Sequence, residues 1–324
     1  MKRTLFFRLG AAALACAGFL AHGPAGAQGQ FPDHPITLIV PWAPGGSTDV
    51  SGRALAKAAE GLLGQAIVVV NKPGASTTIG MAELARAKPD GYTLGTLSSS
   101  SYMLKAQGRE LPYDAVEAFS YISYYGDNLI GIAVPADAPW KKLADLIAEG
   151  KAHPGKLKFG TAGVGSTQHL TLEALMLASG AKFVHIPQQG SAGSMPALLG
   201  KHVDFLSEVS VWAPFIVQGQ VRLLAVSTPK RTEAYPDVPS LGELGYNSLR
   251  SVQAIIGPAG LPEPVRLKLE AAFRKALGDE GFRNTMKKLM MEIIDLPGAE
   301  VKKLVQSELQ RATELVQRMK AAGN

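Results

Sequence analysis

The sequence predicts an α/β protein of two lobes, each built on a central, mainly parallel sheet flanked by helices, with a ligand cleft between them. Three observations predict this. Short apolar runs alternate with helical patterns along most of the chain, as parallel strand–helix–strand units require. Several of those runs end in glycine- or serine-rich turns that open a helix. The 324 residues exceed one small core and suffice for two lobes.

The elements follow in order. Residues 36–42 read as a buried strand ending at Pro44-Gly45-Gly46, with a helix over 49–63. Residues 66–71 form the next strand, broken by Lys72-Pro73-Gly74, and 79–87 a helix. Pro89-Asp90-Gly91 turns the chain into a third strand, 92–97, followed by four serines, 98–101. The second set begins with a strand at 129–134 and a helix at 140–149. A short strand, 157–160, ends in Gly160-Thr161-Ala162-Gly163-Val164-Gly165-Ser166, and a helix is expected over 167–178. Strands at 183–186, 203–206 and 221–226 follow, with a helix at 194–199 between the first two. Residues 228–246, rich in Pro, Gly and charge, read as surface loop with one short helix. Residues 252–257 are a strand; the remainder is mainly helical, at 264–277, 281–288 and 299–320, with a possible short strand at 292–295. The chain leaves the first unit near 128 and returns near 252. Residues 31–128 with 252–324 are therefore expected to form lobe 1, and 129–251 lobe 2.

Composition narrows the function class. The chain is 46% hydrophobic and 19% charged, with 35 Gly and 21 Pro, which is globular and turn-rich. Residues 1–27 read as a secretory signal: Lys2, Arg3 and Arg8 precede an apolar run over 9–20, and Ala25-Gly26-Ala27 supplies a small-x-small cleavage pattern. The run is shorter than the ~20 residues of a spanning helix. The one cysteine, Cys16, lies inside this segment, after a poor version of a lipoprotein box. Cleavage would leave no disulfide and no thiol nucleophile. It would also lower the formal net charge from +6 to +3, since three of the 33 Lys and Arg go and none of the 27 Asp and Glu. Lys and Arg are scattered rather than gathered in a stripe, which argues against nucleic acid.

The most informative stretch is Trp42, Ala43, Pro44, Gly45, Gly46, Ser47, Thr48 and Asp49, between a buried strand and a helix. Open parallel sheets bind ligands beyond the carboxyl ends of their strands. Glycines there let backbone N–H groups approach an anion, and the helix start contributes roughly half a positive charge. An ordinary strand-to-helix turn has the same local pattern. Asp49 fits a helix first turn, or a group that shapes the pocket. Thr161, Ala162, Gly163, Gly165, Ser166 and Thr167 repeat the design in the second half and read as a second anion cradle facing the first. Ser98 and Ser99 stand at a strand end, on the ligand side. Gln188, with Gln189, Gly190 and Ser191, follows another strand. Glu208, just past a strand, would repel a second anion if it faced the cleft unpaired; Asp204 reads as structural.

Catalytic patterns are missing from the sequence. It has no Gly-x-Ser-x-Gly elbow and no phosphate-binding Gly-x4-Gly-Lys-Ser/Thr loop. His34, His153, His169, His185 and His202 show no metal-ligand spacing. The reading is a binding protein, not an enzyme, with no cofactor and no metal.

These segments resemble the Bug family, the TctC-type periplasmic receptors of tripartite tricarboxylate transporters. The resemblance covers nearly the whole chain after residue 30. It is carried by Phe31-Pro32-Asp33-His34-Pro35-Ile36, Val40-Pro41 through Asp49, Val70-Asn71-Lys72-Pro73-Gly74-Ala75, Lys88 to Leu94, Gly160 to Ser166, Ala225-Val226-Ser227 and Pro236 to Ser240. It implies a type II periplasmic-binding fold and a periplasmic receptor for a di- or tricarboxylate, an aromatic acid or an acidic amino acid. It implies transporter membrane subunits as partners, with a monomer as the default state. A ligand-sensing component, or a secreted α/β enzyme acting on small acids, are the other readings. The resemblance also implies carboxylate contacts through backbone amides, hydroxyls and water at residues 42–49 and 161–167. The chain departs from the family at Gln188-Gln189-Gly190-Ser191-Ala192, where Tyr-Lys-Gly-Ser-Ala is usual, and at Ser207-Glu208, where an aromatic-acidic pair is usual. Both departures point to a more polar pocket.

Overall fold

The computed structural model describes residues 31–321; the expected signal segment and Cys16 lie outside them. Two mixed sheets with flanking helices make two lobes.

The first sheet opens with β1 (Ile36–Val40), which continues into α1 (Ser47–Leu63), and β2 (Ile67–Asn71) follows. Then come α2 (Thr78–Ala85), β3 (Thr93–Ser98), α3 (Ser100–Ala106) and β4 (Phe119–Asn128). The chain crosses into the second sheet with β5 (Ile130–Pro135), α4 (Leu143–Ala152), β6 (Lys158–Thr161), α5 (Thr167–Ser179), β7 (Val184–Pro187) and α6 (Ser194–Leu199). After β8 (Phe205–Val209), α7 (Ala213–Val217) and β9 (Val221–Val226), it returns through β10 (Ser251–Pro258). The chain ends with α8 (Glu263–Ala276), α9 (Glu280–Lys288), β11 (Leu296–Pro297) and α10 (Gly298–Ala321).

Strand order is β11-β4-β10-β3-β1-β2 in the first sheet and β7-β6-β8-β5-β9 in the second. The strand–helix–strand units pair in parallel: β1 with β2 and β3, β6 with β7 and β8. The strands that enter or leave at the crossings pair antiparallel: β10 with β3 and β4, and β5 with β8 and β9. The sheets are thus mixed rather than mainly parallel. A strand that arrives from the other lobe meets its neighbours without a crossover helix, so either direction is open to it.

Composition dictates each element. β1 is ITLIV and, apart from half-buried Thr37, wholly buried, as a central strand covered on both faces should be. Gly46 caps α1 in extended backbone, and Gly64 ends it in the left-handed region at φ 74°, where glycine pays no Cβ penalty. Leu55, Ala56, Ala59 and Leu63 point from α1 into a core shared with Ile36, Leu38 and Phe273. α10 buries Val301, Val305, Ala312, Leu315 and Val316 in the other core of the first lobe. Leu170 and Ala174 of α5, from the second lobe, lie in that same core, so the two lobes are joined by apolar packing as well as by the crossing strands.

Three elements escape the sequence reading: α3, β4 and α7. β4 reads FSYISYYGDN, without a continuous apolar run. Its tyrosines are nevertheless buried, because each hydroxyl finds a partner. Tyr121 donates to Val116 O at 3.1 Å and Tyr125 to Gln253 Oε1 at 3.3 Å. Residues 228–246 hold turns and one bridge, Val226 to Ser240, rather than a helix. Pro229, Pro236 and Pro239 withhold the N–H groups a helix would use. Arg231 and Glu243 pin the loop instead: Arg231 donates to Pro236 O at 2.8 Å and pairs with Glu243 at 3.2 Å. No helix among the described residues is long and apolar enough to cross a membrane.

Candidate functional site

A narrow cleft lies where the two lobes meet. The first lobe contributes Trp42, Ala43, Gly46, Ser47, Thr48 and Ser98; the crossing strands contribute Asn128 and Ser251; the second lobe contributes Gln168, Ser191 and Val209. No lining side chain carries a charge.

The turn from β1 into α1 forms one wall. Gly45 adopts φ 86°, turning the chain so that Gly46, Ser47 and Thr48 meet the cleft with the first N–H groups of a 17-residue helix. Such N–H groups have no intrahelical acceptor. The turn is held from behind. Asp49, 3% exposed, accepts from Gly45 N at 2.9 Å, Arg53 Nε at 2.8 Å and Asn71 Nδ2 at 2.8 Å. Asn71 Nδ2 also reaches Trp42 O at 2.9 Å. Asp49 therefore faces away from the cleft and fixes the loop that lines it. Pro44 and Gly45 are exposed on the outer side of the turn.

The serine run divides where the strand ends: Ser98 is the last residue of β3, and Ser99 already has the helical backbone of the residue capping α3. Ser98 lines the cleft. Ser99, fully buried, is occupied elsewhere: its Oγ donates to Arg250 O at 3.0 Å and accepts from Val252 N at 2.7 Å and Tyr102 Oη at 3.0 Å. It ties the returning crossover to β3.

The second glycine-rich loop has another placement. Thr161, Ala162, Gly163, Gly165, Ser166 and Thr167 are outside the cleft lining. Thr161 Oγ1 is engaged by Gly163 N at 3.2 Å and a His185 ring nitrogen at 2.7 Å. Ala162 O accepts from Gly190 N at 2.8 Å. Ser166 caps α5 by accepting from His169 N at 3.2 Å. Thr167 Oγ1 is buried with no partner among the described residues. The loop crest meets the first lobe directly. Ser76 Oγ donates to Val164 O, and Gln107 Nε2 to Gly165 O at 3.1 Å. Ser76 stands in a run of three non-glycine residues with positive φ, Ala75 at 46°, Ser76 at 50° and Thr77 at 89°. That strained geometry projects its hydroxyl across the gap. The loop thus serves as a contact between lobes.

Gly165, at φ 80°, would place a Cβ 2.3 Å from Leu104 Cδ2 of α3. Gly165→Ala should therefore weaken ligand binding about tenfold by holding the lobes apart. The left-handed strain adds ~1 kcal/mol. Calorimetric titration of wild type and variant checks this; unchanged affinity would show that the contact plays no part in closure.

Beneath this loop His169 and His185 stack, with ring centroids 4.1 Å apart. His169 Nδ1 accepts from Gly165 N at 3.3 Å, and Nε2 lies 3.3 Å from Glu173. Burial first, and the neighbouring His169 second, push His185 from 6.5 down to about 4. A base depressed by folding takes up its proton later in the folded chain than in the unfolded one. Its stability contribution is thus complete above about pH 6.5 and is lost as pH falls toward 4. Discounted for partial exposure, that loss is on the order of 1–2 kcal/mol. Thermal melts at pH 7.5 and 4.5 check it: the acid loss should shrink in His185→Gln, and an equal loss would assign it to other groups.

Behind the second-lobe wall sits Glu208, in β8 and wholly buried. Its Oε1 accepts from Gln168 Nε2 at 3.0 Å, Ser191 Oγ at 2.8 Å and Val209 N at 2.8 Å; its Oε2 accepts from Ser194 Oγ at 2.7 Å. Burial raises its pKa, against the pull of these donors. Glu208 does not line the cleft but holds Gln168 and Ser191, which do. Gln188 turns back on its own loop, donating to Ile186 O at 3.2 Å. Its neighbour Ser191 is the residue of that segment that reaches the cleft. Asp204 accepts from Lys158 N at 2.7 Å, a structural bond.

Asn128, Gln168, Val209 and Ser251 were not singled out from the sequence. A usable signal exists for Asn128 and Ser251: both are polar residues at the ends of strands that cross between lobes. Among the described residues no group of three His, Cys, Asp or Glu is placed to hold a metal ion.

Known proteins share this sequence pattern and this fold. The profile of the family described as "Tripartite tricarboxylate transporter family receptor" matches residues 52–321. A Cupriavidus necator protein named "UPF0065 protein in gbd 5'region" is 39% identical over 293 residues, 90% of this chain and 89% of the relative. The solved periplasmic binding protein BugD superposes with a TM-score of 0.84 at 30% identity, covering 90% of this chain and 99% of its own. MatC from Rhodopseudomonas palustris, solved with bound malate, gives a TM-score of 0.83 at 26% identity, covering 88% of this chain and 100% of its own.

Proposed function

Because this chain belongs to the tripartite tricarboxylate transporter receptor family, we propose that it captures a small carboxylate between its lobes and hands it to the membrane subunits of such a transporter. The observation that carries the reading is the seat at the start of α1. Gly46, Ser47 and Thr48 bring unpaired helix N–H groups to a cleft that no charged side chain lines. An anion held there is neutralised by the helix end, equivalent to about half a positive charge, and by hydroxyls such as Ser98. MatC, a structural neighbour, was solved with such an acid, malate. The leader-like segment 1–27 would deliver the chain to the periplasm, where binding proteins of this family work. Residues 31–128 and 252–324 act as one lobe and 129–251 as the other, closing on the ligand about the crossings near 129 and 251.

A thermal-shift screen against organic acids tests this. A bound acid at a hundredfold excess over its Kd stabilises by ~2.7 kcal/mol, several degrees in Tm. Silence across di- and tricarboxylates, aromatic acids and acidic amino acids would sink the reading. Each hit, recovered after incubation, should be chemically unchanged; a product would make the protein an enzyme.

A further inference from the structure

The proposal above places a carboxylate against the first lobe; the second lobe's wall specifies the other end of the ligand. Oε1 of Glu208 receives three hydrogen bonds, from Gln168 Nε2, Ser191 Oγ and Val209 N. A carboxylate oxygen has about two lone-pair sites, so an oxygen taking three donors has no room for a proton of its own. Any proton on this buried carboxyl resides on Oε2, beside Ser194 Oγ at 2.7 Å. The Ser191 hydroxyl hydrogen is thus committed inward in either ionisation state. What Ser191 shows to the cleft is a lone pair.

Gln168 is oriented by the same carboxylate. Its amide nitrogen must face Glu208, because its amide oxygen there would set two acceptors against each other. Its Oε1 is left without a partner among the described residues, on a side chain that lines the cleft. Asn128, 5% exposed, adds a third acceptor: its Oδ1 is buried and unpartnered on the same cleft. An unpaired buried acceptor costs about 1–3 kcal/mol, so the wall is incomplete until something donates to it.

Resting on the carboxylate reading, we infer that the ligand is a carboxylate whose far end carries N–H or O–H donors, such as an amino, hydroxyl or carboxamide group. An unsubstituted dicarboxylate is the poorer ligand. Its second carboxylate, ionised and acceptor-only, would meet Ser191, Gln168 and Asn128 with no hydrogen between them. The asymmetry is chemical: N–H groups at the start of α1, acceptor oxygens opposite.

Calorimetric titration with acids matched in length tests this: succinate against succinamate, and glutarate against glutaramate, at pH 7.5. The amide-ended member of at least one pair should bind tenfold or more tighter than its dicarboxylate. A dicarboxylate that binds equally or better in both pairs overturns the inference and leaves the carboxylate reading standing. Silence from all four overturns it as well, and the organic-acid screen alone then judges the carboxylate reading. Ser191→Ala should weaken the amide-ended acid three- to tenfold and leave the dicarboxylate binding as well as before or better. A larger loss for the dicarboxylate would mean that Ser191 donates to the ligand, and would reverse the assignment. Glu208 keeps three donors in that variant, so the fold is spared.

Discussion

Gly46→Val is expected to lower carboxylate affinity at least a hundredfold while moving the unliganded Tm by no more than a few degrees. Gly46 already has the extended backbone of a helix cap, φ −75° and ψ 165°, which valine adopts without strain. A Cβ there would meet nothing closer than Ala43 O at 3.8 Å, so the protein itself accommodates it. The added atoms project into the cleft, since Gly46 lines it. They would hold an anion off the N–H groups of Ser47 and Thr48 by more than a hydrogen-bond length. Two charge-assisted hydrogen bonds lost at ~1.5–3 kcal/mol each give a factor of a hundred or more. The stability cost is that of a poor capping residue, ~0.5–1 kcal/mol. Calorimetry and thermal melts on one preparation decide it. Parallel losses of affinity and stability would make the turn a scaffold rather than a seat.

Glu208→Ala carries the largest expected stability effect, a loss of about 2–4 kcal/mol. Four donors converge on this carboxylate. Gln168 and Ser191 border the cleft and can turn to water. Ser194, fully buried, and Val209 N cannot. Each donor stranded in this way costs ~1–3 kcal/mol, and the cavity adds to it. Relief of the carboxylate's own burial, which raises its pKa, offsets part. Chemical denaturation of the two proteins measures the difference. A variant as stable as wild type would mean that the donors find other acceptors and that Glu208 organises nothing.

The two variants also mark what could be read from the sequence. The turn at residues 42–48 was legible because everything it needs is local: an apolar strand, glycines, then small hydroxylated residues opening a helix. The hydrogen-bonding knot around Glu208 was not, because its side-chain partners lie 40, 17 and 14 residues away in the chain. Residues 161–167 have the same local design as 42–48, yet they press on Ser76, Leu104 and Gln107 of the other lobe. Strand-end glycines followed by a helix specify an exposed loop; whether a ligand or another lobe meets it depends on packing across the molecule. The serine run repeats the lesson at smaller scale. One step along the chain separates Ser98, in the cleft, from Ser99, bound to the crossover. Strand β4 was missed because tyrosine is apolar only once its hydroxyl is satisfied, and its partners, such as Gln253, come from distant sequence.

The uncharged lining of the cleft has a consequence for how binding responds to salt. A site built from lysine or arginine heads loses affinity as dissolved ions screen those heads, with a screening distance of about 8 Å at physiological ionic strength. Peptide N–H groups fixed in a packed helix bring no counterions that must be shed before the guest arrives. Occupancy should therefore fall less between fresh water and brine than it would at a site built from lysine or arginine heads, since only the partial charge of the helix end is left to screen.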